Sequence, residues 1–254
     1  MIFDVNLAEA EAKVSALEGE FPDVNIRFLK VDITDEAAVD AAVAETVVLL
    51  GPVTTLLNIA GLEPRHECEY DRDLFVARAV ARHMIVHGTG GSMVFIASAS
   101  AHQVNFPQPQ VPYNVSKAGV KTMARSLAGE WARYGIRVNS VSPGYMDTIL
   151  NEGAGLEEAR KIWLSRHPLG RMGRPDELCG VVVMLASRAG SYFNGSDREL
   201  PPLPTGFLHF EPRINSRAII RDCLPRPNAS GHAISHLLLL KSRAHANRKP
   251  WQFW

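Results

Sequence analysis

The stretch SMVFIASASAHQVNFPQPQVPYNVSKAGVKTMARSLAGEWARYGIRVNSVSPGYMDT, residues 92–148, opens on an apolar run, crosses a proline-containing connection and a long segment of helical period, and returns to a second apolar run. Strand, connection, helix and strand in that order make a crossover unit of a parallel sheet. Strands are expected at Met93–Ala97 and Ile136–Val141, with a helix over Tyr113–Tyr134 between them.

The same alternation runs from Ile2 to Ala186. Short apolar runs at Ile2–Phe3, Ile26–Val31 and Thr55–Ile59 read as buried strands. Segments at Leu7–Leu17, Glu36–Leu50, Leu74–His87, Glu157–Ser165 and Pro175–Ala186 read as helices, with Asn6 and Asp35 as N-caps for the first two. The fold expected is α/β, a Rossmann-like doubly wound parallel sheet, occupying residues 1–196. The pattern stops near Gly195. Seven of the sixteen prolines fall within residues 197–254, where positive charges outnumber negative ones. That segment reads as an irregular, disordered tail. Within it, HAISHLLLLKSR, residues 232–243, has the length of a short helix.

Composition narrows the function. The formal net charge is zero and the apolar share 46%, which suits a globular enzyme and argues against a nucleic-acid partner. Cys68, Cys179 and Cys223 are odd in number and lack Cys-x-x-Cys spacing, so no disulfide framework or zinc site is expected. His232 and His236 share helical spacing but have no third ligand beside them, so they read as surface histidines and no metal is expected. No apolar run reaches the roughly 18 residues of a membrane span, and Asp4 interrupts the start before a signal core forms. A cytoplasmic protein without membrane contact is expected.

The chemistry concentrates in the opening stretch. Tyr113 and Lys117 are four residues apart and lie one turn apart on the same face of their helix. An ammonium beside a phenol favours the phenolate, which equips Tyr113 to exchange a proton with an alcohol or carbonyl. Ser100 follows the strand Met93–Ala97 at its carboxyl end, where open α/β sheets place their ligands. Its hydroxyl is positioned to hold a substrate oxygen.

Four features together resemble the short-chain dehydrogenase/reductase family: the Tyr-x-x-x-Lys pair, Ser100 thirteen residues before Tyr113, the strand end Asn58-Ile59-Ala60-Gly61, and the Pro143-Gly144 turn. Pro107 to Leu127, GYMDTILNEG and HPLGRMGRPDEL look most like members that interconvert sugar alcohols and ketoses. The resemblance implies hydride transfer between NAD(P) and a secondary alcohol or ketone. Tyr113 would be the general acid/base, Lys117 its partner and a ligand of the nicotinamide ribose, and Ser100, or less strongly Ser98, the holder of the substrate oxygen. Asp4 would accept from the adenosine ribose, favouring NAD, and Asp32 would contact adenine. Asn58, Ala60 and Gly61 would line the ribose wall, Pro143 and Gly144 would pass the nicotinamide, and Thr148 would bond its carboxamide. It also implies a homo-oligomer, assembled here through Val120, Met123, Leu127 and Trp131.

Three departures stand beside the resemblance. The Gly-rich loop after the family's first strand is missing, since the first glycine is Gly19, and Gly88, Gly90 and Gly91 precede a strand. The first strand itself is expected to be absent, leaving a gap between the strands that end at Asp4 and Asn58. No asparagine lies between Asn58 and Asn105, where the family carries a catalytic one. After Asp197 the expected last strand gives way to RELPPLPTGFLHF. The alternative expectation is therefore a non-catalytic family member that cannot hold cofactor and acts through assembly, or through its basic tail as an interaction module.

Overall fold

The computed structural model describes residues 1–59, 69–104, 107, 109–148, 151, 156–167, 169–200 and 237–240, the last four by their backbone. The described strands are β1 (Ile2–Asp4), β2 (Phe28–Lys30), β3 (Thr55–Asn58), β4 (Gly91–Ile96), β5 (Ile136–Pro143), β6 (Asp197–Leu200) and β7 (Leu237–Leu240). The helices are α1 (Leu7–Glu20), α2 (Glu36–Leu50), α3 (Glu69–His87), α4 (Val111–Trp131), α5 (Glu157–Arg166) and α6 (Cys179–Ala186). The strands form one sheet in the order β2-β1-β7-β3-β4-β5-β6. All of its pairings are parallel.

Alternation along the central strands builds two core layers. Leu56, Met93 and Phe95 point into one, packed with Val39 and Val43 of α2, Val76, Val80 and Met84 of α3, and Val120 and Leu127 of α4. Leu57, Val94 and Val141 point into the other, against Leu185 of α6. A parallel sheet covered on both faces reads as continuous apolar runs, which is why these strands were visible in the sequence. Both expected N-caps form: the Asn6 side chain accepts from the Glu9 amide, and the Asp35 side chain from those of Ala37 and Ala38. Gly90 and Gly91, at the start of β4, serve packing. A Cβ on Gly90 would lie 2.7 Å from the Gly135 carbonyl oxygen, and one on Gly91 2.5 Å from that of Thr54.

Three expectations are corrected. The place between β1 and β3 is filled, by β7 from the tail: Leu239 lies opposite Ile2 and Leu57, and Leu240 opposite Phe3 and Asn58. Residues 237–240 are thus a strand and not part of a helix; four consecutive leucines suit a central strand that must supply hydrogen bonds on both sides. Second, a last strand is present. β6 pairs with β5 from Ser140↔Asp197 to Pro143↔Leu200. The loop before it is held by Arg137, whose guanidinium donates to the carbonyls of Leu185, Ser187, Gly190 and Phe193, and by Asn139, which bonds the Phe193 carbonyl and the Ser196 amide. Third, the apolar series on α4 does not face outward. Val120 and Leu127 are buried in the core, and Met123 and Trp131 pack against it.

Candidate active site

The site lies at the carboxyl edge of β4 and β5, where α4 begins. Pro112 sits in the first turn of α4, where its missing N–H costs nothing, and sets the helix start that carries Tyr113. Tyr113 is half-buried, and Lys117 is buried at 5% exposure. One turn of helix places the Lys117 Nζ 5.8 Å from the centre of the Tyr113 ring. The same ammonium donates to the Ile96 carbonyl at 3.0 Å, so α4 grips the last residue of β4.

Beyond Ile96 the chain turns through a short 3-10 segment, Ala99–Ala101. Ser98 caps it, its Oγ accepting from the Ser100 amide at 3.2 Å, so Ser98 shapes the turn and Ser100 is presented by it. Ser100 is buried, and its Oγ has no hydrogen-bond partner among the described residues. Leaving a buried hydroxyl unpaired costs about 1–3 kcal/mol. A turn that tolerates this at the carboxyl edge of a parallel sheet fits a hydroxyl reserved for a ligand.

The other expected residues are placed as follows. Asp4 ends β1, is buried, and accepts through Oδ1 from the Asn6 amide at 2.8 Å. Asp32 is exposed and accepts from the Thr34 amide at 2.9 Å, so both carboxylates also stabilise their own turns. Asn58 ends β3, buried, and donates to Asp73 Oδ1 on α3 at 2.8 Å. Pro143 closes β5, and the Gly144 amide donates to the Leu200 carbonyl at 2.6 Å, tying this exit to β6. Thr148 is half-buried, and its carbonyl accepts from the Asn151 amide. Ala60 and Gly61 lie outside the described residues, as do His232 and His236. Where β5 hands over to α5, Tyr145 stacks on the buried Trp163, ring centroids 4.6 Å apart and planes 12° from parallel.

Sequence reasoning missed four polar residues around the site. Asp73 is the buried partner of Asn58. His102, Lys121 and Asp197 form a chain beside Ser100: the Lys121 Nζ lies 3.2 Å from the Ala101 carbonyl oxygen and 3.4 Å from His102 Nδ1, and His102 Nε2 lies 2.6 Å from Asp197 Oδ2. Lys121 was the one within reach, being one further helical turn from Lys117. Farther along, His167 is buried beyond α5; burial, and secondarily the positive Arg171, holds its pKa below the usual histidine value.

The residues fit the nicotinamide half of a dinucleotide, with a buried lysine, a tyrosine and an orphaned serine hydroxyl at one edge. They do not fit the diphosphate. Among the described residues no glycine-rich turn joins a strand to a helix N-terminus there, the arrangement that supplies clustered N–H donors to phosphate.

Comparison with known proteins gives the family. Residues 1–198 match a family model described as enoyl-(acyl carrier protein) reductase. A galactitol 2-dehydrogenase of Rhizobium johnstonii is 36% identical over 209 residues, 76% of this chain and 80% of that protein. A ribulose-forming D-arabinitol 2-dehydrogenase of Candida albicans is 48% identical over 124 residues, 48% of this chain; the chain spans 44% of that protein's length. The crystal structure of a gluconate 5-dehydrogenase from Burkholderia cenocepacia, in complex with NADP and tartrate, superposes with a TM-score of 0.68 at 30% identity, covering 79% of this chain and 83% of that one. The fold and the sequence are shared with these dehydrogenases, and the chain belongs to the short-chain dehydrogenase/reductase family, whose members bind NAD(P).

Proposed function

We propose that this chain transfers hydride between NAD(P) and a secondary alcohol or ketone of the polyol/ketose class. The observation that carries the reading is the Ser100 hydroxyl, buried and without a hydrogen-bond partner among the described residues, on the turn that follows the strand end held by Lys117. In the oxidative direction Ser100 donates to the substrate oxygen and Tyr113 takes the hydroxyl proton. Lys117 stands beside it, its Nζ 5.8 Å from the centre of the Tyr113 ring, and would hold the nicotinamide ribose. NAD(P), when bound there, would supply the hydride acceptor. Asp4, at the end of β1, is the acceptor proposed for the adenosine ribose and favours NAD; Asp32, Asn58, Ala60 and Gly61 would flank the adenosine, and Pro143, Gly144 and Thr148 the nicotinamide. The galactitol and arabinitol relatives support this substrate class. Assembly into a homo-oligomer in the cytoplasm is proposed on the family likeness alone.

The dinucleotide is held weakly in this reading, because hydrogen bonds to charged groups contribute about 1.5–3 kcal/mol each and the diphosphate lacks its cradle. The same observation favours a second reading, a family member without turnover that keeps only the scaffold. Calorimetry with NADH, and assay of D-arabinitol and galactitol with millimolar NAD or NADP, separate the two. Binding on the order of millimolar with ketose formation supports the first reading. No NADH binding and no product from either polyol supports the second.

A further inference from the structure

The constellation His102, Lys121 and Asp197 is not used by the reaction as described, yet it surrounds the turn that presents Ser100. Tyr113, Lys117 and Lys121 succeed one another at four-residue steps along one face of α4. Lys117 holds the carbonyl of Ile96, and Lys121 lies 3.2 Å from that of Ala101, so the helix grips both ends of the segment 96–101. Lys121 also faces His102 Nδ1 at 3.4 Å. The opposite ring nitrogen lies 2.6 Å from Asp197 Oδ2. A carboxylate accepts and an ammonium donates, so the two contacts agree on one neutral tautomer, with hydrogen on Nε2 and a lone pair on Nδ1.

Asp197 is built into the sheet. Its side chain is 8% exposed. Ser140 donates to Oδ1, Ser142 Oγ lies 3.0 Å from Oδ1 and 2.8 Å from Oδ2, and His102 completes the set. Ser142 is the residue before Pro143, at the exit proposed to pass the nicotinamide. One buried carboxylate therefore joins the end of β5 to the turn carrying Ser100, and Lys121 joins that turn to the helix carrying Tyr113.

We propose that Lys121, His102 and Asp197 act as positioning residues that fix the Ser100 hydroxyl relative to Tyr113 and the end of β5. This rests on the proposed dehydrogenase function. Such a clamp acts on the geometry of the reacting oxygen and not on cofactor affinity, and a misplacement of about 1 Å at a reacting centre costs on the order of a hundredfold in rate.

Two measurements on the full chain test it. The first is ring ¹⁵N NMR of His102, which needs no turnover: hydrogen on Nε2 is expected in the parent, with a shift toward a tautomer mixture in Asp197→Asn. Hydrogen on Nδ1 in the parent would overturn the clamp. The second is steady-state oxidation of D-arabinitol by Lys121→Met and Lys121→Arg, where Asp197→Asn risks misfolding. The methionine variant is expected to lose kcat by on the order of tenfold or more, with the KM for NAD and the melting temperature little changed, and arginine to restore most of it. An unchanged kcat, or a loss appearing only as KM for NAD, would overturn the proposal. A parent inert toward every polyol would contradict the dehydrogenase reading, while the NMR result would still decide the clamp.

Discussion

The Lys117 ammonium donates to the Ile96 carbonyl at 3.0 Å, so the helix that carries Tyr113 is fastened to the strand that leads to Ser100. Replacing Lys117 with methionine keeps the buried stem and removes both the anchor and the charge. The Lys117→Met variant should fold with a similar melting temperature and lose turnover on the order of 10²–10⁴-fold, the usual range for a disabled acid/base pair. Near-parent turnover in a coupled assay would remove Lys117 from the chemistry.

Ser100→Ala separates function from stability. The hydroxyl is buried without a partner among the described residues, so deleting it removes an uncompensated desolvation cost and should leave stability within about 1 kcal/mol of the parent, or raise it. Turnover should fall sharply. A large drop in the urea midpoint would mean that the hydroxyl has a structural partner.

Strand β7 carries the two ladders at the middle of the sheet. Proline at position 239 removes one N–H and clashes with its neighbours, a change that costs about 3 kcal/mol or more in regular structure. Leu239→Pro should lower the urea midpoint clearly, and removal of residues 201–254 should lower it further. If the truncated chain unfolds at the parent's midpoint, β7 does not complete the sheet.

How much of this was legible beforehand follows from sequence separation. Glu36–Leu50 was read with its observed bounds because its period and its Asp35 cap are local signals. Tyr113, Lys117 and Ser100 were legible because spacing alone relates them. Leu237–Leu240 was not, since a short apolar run suits helix or strand and its partners Ile2 and Thr55 lie far off in the chain. Asp197-Arg-Glu-Leu was hidden by charges that suit a loop; the serines of β5 that receive Asp197 are invisible to any local pattern. The His102 chain escaped for the same reason.

Acid should destabilise the fold through its buried imidazole. Burial, and after it Arg171, depresses the His167 pKa, and burial, and after it His87, depresses that of His83. The unfolded chain therefore binds protons that the folded one resists. This contribution to stability is fully present above the unfolded histidine value of about 6.5 and is lost as pH falls below it. Urea midpoints should decline from pH 7.5 to pH 5, and less steeply in His167→Gln. An identical slope in that variant would exclude His167 as a source.

In the proposed reaction Tyr113 takes the hydroxyl proton of the polyol as the carbinol carbon gives up its hydride to NAD. D-arabinitol deuterated at carbon 2, incubated with the chain and millimolar NAD, tests this directly by mass spectrometry of the recovered cofactor. Deuterium on the nicotinamide ring is expected with the parent chain, and none above background with Tyr113→Phe, which keeps the ring and loses the proton. Unlabelled cofactor with the parent, or equal labelling by Tyr113→Phe, would contradict it.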